Sequence, residues 1–379
     1  MKKLIAIAVV FALVMGGVFA ETSVSGSTNG KLVLGQGSTG EDSKVKAEGS
    51  MKIKLLGKNE EGTFGGEFVL NSGNRVDGEF LKQGDAKANV WWKPIDMLKI
   101  QIGSNEWGSF GIGDGGTDIY GNMNDLDIWQ NVGEGKGFGG YTGKGLFLSV
   151  YPIPGLTFNL AFNFQGKTDP KEVYEKFYAE LVYAIPNIGT VKAGYKSNTY
   201  EYKAPGEIGV SFDLSALSGM GLALGFQLHT GFPTADADLA KTRTEPLNTN
   251  FSAGFTGGDF NVKFRFVGTF LGKETVNDVE SKDSATIKFG LFPNYKVSDN
   301  LFVGVGFDVK VAGITDVEGA ADPVISWHAS PHIRYTVGPG LFQAGLNVGQ
   351  NTGKVITPVN AADKGKLEWQ IPIRMAYSF

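Results

Sequence analysis

From Leu367 to the end of the chain, an apolar side chain stands at every second position: Leu367, Trp369, Ile371, Ile373, Met375, Tyr377 and Phe379. The places between hold Glu368, Gln370, Pro372, Arg374, Ala376 and Ser378. A period of two sorts side chains onto two faces of a strand, one apolar and one polar. The same sorting recurs at Leu156, Phe158, Leu160, Phe162 and Phe164, which alternate with Thr157, Asn159, Ala161, Asn163 and Gln165. It recurs again where Phe260, Val262, Phe264 and Phe266 alternate with Asn261, Lys263 and Arg265. The uncharged stretch from Gly145 to Gly166 is long enough to cross a bilayer as a helix. Pro152, Pro154 and Gly155 in its middle would break that helix, so it predicts a hairpin instead.

This hairpin unit repeats along the chain. Short turns are expected at 58–62, 93–96, 152–155, 186–189, 215–220, 256–259, 297–300 and 337–340. Longer polar connections are expected at 36–42, 72–85, 105–137, 166–172, 198–206, 232–248, 272–282, 314–323 and 351–364. Seventeen connections imply about 18 strands, with 16 the next choice, and both termini at the short-turn end. The expected fold is all-β: a membrane-spanning antiparallel β-barrel with short periplasmic turns and long extracellular loops. A string of soluble sandwiches would show linkers or breaks in composition, and none is present. A closed barrel also satisfies every backbone polar group in lipid. Trp91, Trp92, Tyr151, Tyr183, Tyr295, Trp369 and Tyr377 are placed to form interfacial girdles.

Composition narrows the choice further. Of 379 residues 55 are glycine and none is cysteine, which excludes disulfides and thiolate metal sites. The charge balance, 35 basic against 39 acidic residues, argues against nucleic acid as the partner. Residues 1–20 read as a cleavable signal peptide: Lys2 and Lys3, an apolar run, then Val18-Phe19-Ala20 before Glu21. Its removal leaves 33 basic against 39 acidic residues, a net charge of −6, with 21–379 as a single barrel domain.

The terminal strand, with Phe379 last, Tyr377 two before it and Met375 two before that, resembles the assembly signal of Gram-negative outer-membrane proteins. Together with the leader, the absence of cysteine, the strand count and the long third loop, it gives the whole mature chain a resemblance to the bacterial porins. The resemblance implies a passive, water-filled channel for small hydrophilic solutes and ions. It further implies outer-membrane lipid and the barrel-assembly machinery as partners, and a possible homotrimer. No reaction and no cofactor is implied.

Positions alternating with the apolar ones would then line the channel. The basic candidates are Lys46, Lys52, Lys54, Lys87, Lys99, Lys192, Lys263, Arg265, Lys288, Lys310, Arg334 and Arg374. Much of the opposing acid lies in the third loop: Glu106, Asp114, Asp118, Asp125, Asp127 and Glu134. By the porin resemblance that loop folds inward, and its acids face Lys46, Lys52 or Arg265 across a constriction with a transverse field. It lacks the proline-acid-phenylalanine-double-glycine turn of general porins; the nearest string is Phe110 to Gly116. Trp107, Phe110, Tyr120 and Trp129 could stack sugars, which makes a sugar-selective channel one alternative and a non-conducting adhesin or structural barrel another.

Other motifs carry little. Gly135 to Gly140 matches a dinucleotide-binding glycine pattern, with no helix or parallel unit to support it. His229, His328 and His332 are too few and too dispersed for a metal site, although His328 and His332 share a strand face with Arg334 and could add pH-dependent charge. Ser326 and Ser330 lie beside them, with no evident carboxylate in the same strand, so an enzyme is not expected.

Overall fold

The computed structural model describes residues 21–36, 44–72, 86–107, 141–164, 177–199, 204–214, 221–232, 234–236, 241–244, 246–270, 272–277, 279–282, 284–315, 322–350 and 367–379. The first strands are β1 (Glu21–Gln36), β2 (Lys44–Lys58), β3 (Phe64–Asn71), β4 (Ala86–Ile95), β5 (Leu98–Trp107) and β6 (Tyr141–Ile153). Then follow β7 (Leu156–Asn163), β8 (Phe177–Ile185), β9 (Gly189–Thr199), β10 (Ala204–Asp213) and β11 (Leu222–Gly231). Next come β12 (Thr234–Asp236), β13 (Lys241–Thr244), β14 (Leu247–Gly257), β15 (Phe260–Phe270), β16 (Lys273–Val276) and β17 (Val279–Lys282). The chain ends with β18 (Ala285–Lys296), β19 (Leu301–Ile314), β20 (Val324–Val337), β21 (Gly340–Gly345), β22 (Asn347–Gln350) and β23 (Leu367–Ser378).

Neighbouring strands pair antiparallel, and the last returns to the first: β23 runs along β1 from Ser27 opposite Ser378 to Gln36 opposite Trp369. The result is a closed barrel of 18 strands, the number that the alternation predicts. One barrel strand is in two pieces, β21 and β22. The break falls where Pro331 of β20 stands opposite Leu346 and Pro372 of β23 opposite Gly345. Proline has no N–H to give the ladder, so regular pairing lapses there. Leu346 keeps one bond, donating its N–H to the Pro331 carbonyl at 2.9 Å.

Seven of the eight expected short turns lie at junctions between described strands, the one at 93–96 overlapping the end of β4, and residues 215–220 of the eighth lie outside the described set. The connections expected at 232–248 and 272–282 hold more structure than predicted. There β12, β13, β16 and β17 form a separate four-stranded sheet, joined by the β13–β16 pairing, at the long-loop end.

Closure ends in a local lock. The Gly26 N–H donates to the Phe379 carbonyl oxygen at 2.9 Å, and the Phe379 N–H returns a bond of 3.0 Å to the Gly26 carbonyl. The Phe379 ring lies against Gly26. Deleting Phe379 removes both bonds and the ring, and is expected to cost about 2 kcal/mol. The urea midpoint of refolded protein in detergent measures it.

Side chains on the concave face of a barrel converge, whereas those on the convex face spread apart. The crowded set here is polar: Gln101, Asn159, Gln227, Asn250, Ser252, Gln343 and Gln370 are all buried. The exposed set is apolar, including Ile102, Phe158, Leu181, Val210, Phe264, Phe289, Leu291, Phe307 and Met375. Rings gather at both ends of this outer face. Near the long-loop end Phe162, Phe177, Tyr195 and Phe232 follow one another with centroids 6.4, 5.4 and 5.9 Å apart. Trp92, Tyr183, Tyr295, Tyr335 and Tyr377 are exposed toward the short-turn end. So large a contiguous apolar surface requires a cover, and a lipid bilayer fits the banded pattern.

Candidate functional site

The interior wall is polar and carries the charge. Strand alternation places Lys52, Lys54, Lys87, Lys99, Lys192, Lys263, Arg265, Lys288, Lys310, Arg334 and Arg374 on the concave face, each in register with other concave positions. Lys46 occupies a β2 position opposite the inward Val33, and its side chain lies outside the described set. Lys288 and Lys310 sit directly opposite each other on β18 and β19, so two like charges share one patch.

Charged groups on this face differ in depth, and Lys31, Arg265 and Arg374 are buried alongside four acids. Glu180 is 7% exposed, Glu207 4%, and Asp308 and Glu368 0%. Glu180 accepts bonds from Tyr178 and Asn159, both at 2.7 Å, and Glu207 lies 3.8 Å from the Lys196 ammonium. Other lysines stand higher: Lys52 and Lys87 are exposed, and the Lys54 side chain keeps 40% of its surface while pairing with Glu67. Among the described residues, the charge that solvent inside the barrel meets is therefore mainly positive.

Lateral hydrogen bonds stiffen the wall. Arg374 donates to Gln343 at 2.9 Å and to Asn29 at 3.1 Å, and Asn29 donates to Ser50 at 2.9 Å, crossing the closure seam. The Asn294 side-chain oxygen lies 3.0 Å from His332 Nε2, in a bridge that passes over Gly304. A Cβ at 304 would lie 2.1 Å from the Asn294 oxygen and 2.6 Å from His332 Nε2. Gly304→Val is thus expected to break the bridge and cost about 1–3 kcal/mol. The measurable result is a lower urea midpoint with the pairing of β18 and β19 retained.

One group has the composition of an activated nucleophile. His328 Nε2 lies 2.6 Å from Ser330 Oγ, and His328 Nδ1 lies 2.6 Å from Asp308 Oδ2. The carboxylate missing from the histidine strand comes from the neighbouring one, since Asp308 of β19 stands opposite His328 of β20. That corrects the reading based on a single strand. Three features set the group apart from a working triad. All three residues are 0% exposed. Ser330 Oγ donates to Asn347 Oδ1 at 3.1 Å, so Nε2 must donate to the hydroxyl rather than take its proton. Nδ1 and Oδ2, although close, are not aligned for a hydrogen bond, which leaves an electrostatic contact. The group ties β19, β20 and β22 together. Among the described residues no cluster of three acidic or histidine side chains could hold a metal.

The structure also corrects one aromatic. Trp91, expected in a lipid-facing girdle, faces inward, with the Lys99 ammonium 5.2 Å and the Lys93 ammonium 5.9 Å from its ring centroid. Gly65 of β3 makes room for it, because a Cβ there would lie 2.4 Å from the indole. Alternation alone carried the signal: Val90 and Trp92 are exposed on the outer face, so Trp91 between them points in.

Comparison with solved structures decides the fold. OpdQ of Pseudomonas aeruginosa superposes with a TM-score of 0.59 at 10% identity, over 94% of this chain and 98% of that one. The outer membrane protein OprD of the same organism gives 0.57 at 12% identity, over 95% and 94%. An anion-selective porin from Comamonas acidovorans gives 0.50 at 11%, over 95% and 99%. No family model matches the sequence, and no curated protein matches it either. The fold is that of the outer-membrane porins.

Within the porin fold, the third long connection begins later than expected. Glu106 and Trp107 belong to β5, paired with Thr142 and Tyr141 of β6, because the β5–β6 ladder continues past the predicted strand end. Their side chains lie outside the described set, as do Phe110, Asp114, Asp118, Tyr120, Asp125, Asp127, Trp129 and Glu134. Phe379, Tyr377 and Met375 all stand on the outer, exposed face.

Proposed function

We propose that this protein is an outer-membrane porin: a passive, water-filled channel for small hydrophilic solutes and ions, with a preference for anions. The observation that carries the reading is the charge on the described interior wall, where Glu180, Glu207, Asp308 and Glu368 are buried while Lys52, Lys54 and Lys87 keep exposed surface. A channel lined this way focuses a positive potential and concentrates anions. The porin fold supports the location, and the anion-selective porin of Comamonas acidovorans offers a precedent for such a preference on this fold.

The rest of the reading follows from the sequence. Residues 1–20 direct export and are removed. Met375, Tyr377 and Phe379 are the signal for the barrel-assembly machinery, the short turns face the periplasm, and the mature barrel assembles as a homotrimer in outer-membrane lipid. The third loop, with Asp114, Asp118, Asp125 and Asp127, narrows the channel opposite Lys46, Lys52 and Arg265.

Reversal potentials in a salt gradient test the preference. Wild type is expected to pass chloride more readily than potassium, and Lys288→Glu with Lys310→Glu to shift the permeability ratio several-fold toward cations. The shift should be large at 0.1 M salt and small at 1 M, where the screening length falls from about 10 to about 3 Å. A cation-selective wild type would contradict the charge-sorting argument.

A further inference from the structure

At the short-turn end of the interior, β15, β18, β19 and β20 enclose a cleft of about 310 Å³. The Asn294–His332 bridge, which Gly304 makes possible, contributes to its lining. Lys263 of β15 and Arg334 of β20 also line it, and the Arg334 guanidinium lies over the Phe302 ring, 5.7 Å from the centroid. The buried Nε of Arg334 has no hydrogen-bond partner. Lys296 also lines the cleft, joined by a 2.7 Å ion pair to Asp299 in the adjoining turn. The carboxylate lining the cleft, Asp259, belongs to an exposed turn.

Lys263 and Arg334 line the same cleft, so an anion seated between them is favoured by both charges. The cation–π contact with Phe302 already restrains the Arg334 side chain, so less freedom is lost on binding. The group that suits a guanidinium fork beside an ammonium is an oxyanion. The volume is at the lower end of small-molecule sites, enough for an oxyanion carried on a small organic body. Phe302 supplies apolar surface for that body, and the amides of Asn261 and Asn294 supply polar contacts.

We infer that this cleft is a binding subsite for a small organic oxyanion, a phosphomonoester or a carboxylate, at the inner mouth of the barrel. It is remote from the third loop in the chain and built from strands that loop does not join. Binding itself needs no channel; the further consequence, that a permeating anion pauses there, rests on the porin reading.

The test uses the full-length refolded barrel with glycerol 3-phosphate and propionate as probes, and glycerol as the uncharged control. Calorimetry in detergent is expected to show one saturable site for at least one oxyanion and none for glycerol. Arg334→Ala and Lys263→Ala should each weaken binding about tenfold, with Arg334→Lys between wild type and alanine because it keeps charge and loses the fork. Lys58→Ala removes a cation at the same end of the barrel outside the cleft and should leave binding unchanged. Heat-modified mobility on gels confirms that each variant is folded. The probe that binds identifies the oxyanion. No saturable binding by either probe, or binding indifferent to both alanine variants, overturns the site. In planar bilayers, probe added on the short-turn side should interrupt the current more often than probe added opposite, and equal rates would contradict the assigned position. A barrel that binds the probe yet never conducts would overturn the porin reading and leave the cleft standing.

Discussion

Leu291→Arg is expected to destabilise the barrel in lipid vesicles by about 2–4 kcal/mol. Leu291 is in the middle of β18, is 48% exposed, and lies between Phe264 of β15 and Phe307 of β19 on the outer face. On a water-facing surface the same change would be worth at most about 0.5 kcal/mol in either direction. In hydrocarbon the guanidinium must be dragged to an interface or solvated by a membrane defect. Depth is the internal control. Ile325, 58% exposed near the long-loop end of β20, should accept arginine at a cost of about 0–1 kcal/mol. Urea unfolding in vesicles, followed by tryptophan fluorescence, gives both values. Equal costs at the two positions would mean that the outer face does not meet a bilayer midplane.

The second large effect lies on the opposite face of the same wall. His328→Ala is expected to cost about 3–5 kcal/mol, the range for truncating a large, fully buried ring. The imidazole is 0% exposed, touches the Asp308 carboxylate and holds Ser330. Its loss leaves a cavity and removes the imidazole that touches a buried acid. A cycle with Asp308→Asn separates the two contributions: coupling of about 0.5–3 kcal/mol assigns the cost to the pair. Additive losses would assign it to packing alone.

Both experiments probe features that differ in how visible they are from the sequence. The lipid face was legible because alternation is local: Phe260, Val262, Phe264 and Phe266 name their side of the sheet without reference to any other strand. The short turns were legible for a related reason, since proline, glycine, asparagine and aspartate mark each one. The partnership of Asp308 with His328 was not, because it depends on how far β19 slides against β20, and no local period encodes that register. Trp91 was misplaced because an aromatic near a strand end was matched to the girdle before its parity was counted. Some apolar residues break the simple rule in the other direction. Val33, Phe147, Ala161, Val267 and Phe292 are among the described residues buried at inward positions. They fill gaps between long polar side chains, a demand of packing that the pattern cannot anticipate. The strands β12, β13, β16 and β17 are only three or four residues long and show no alternation, so they read as loop.

The channel itself is tested most directly by current through single refolded molecules in a planar bilayer, recorded across a series of potassium chloride concentrations. A water-filled lumen predicts discrete, uniform steps whose conductance rises nearly in proportion to the conductivity of the bulk solution at high salt. Correctly folded, bilayer-inserted protein that gives no steps would contradict the account.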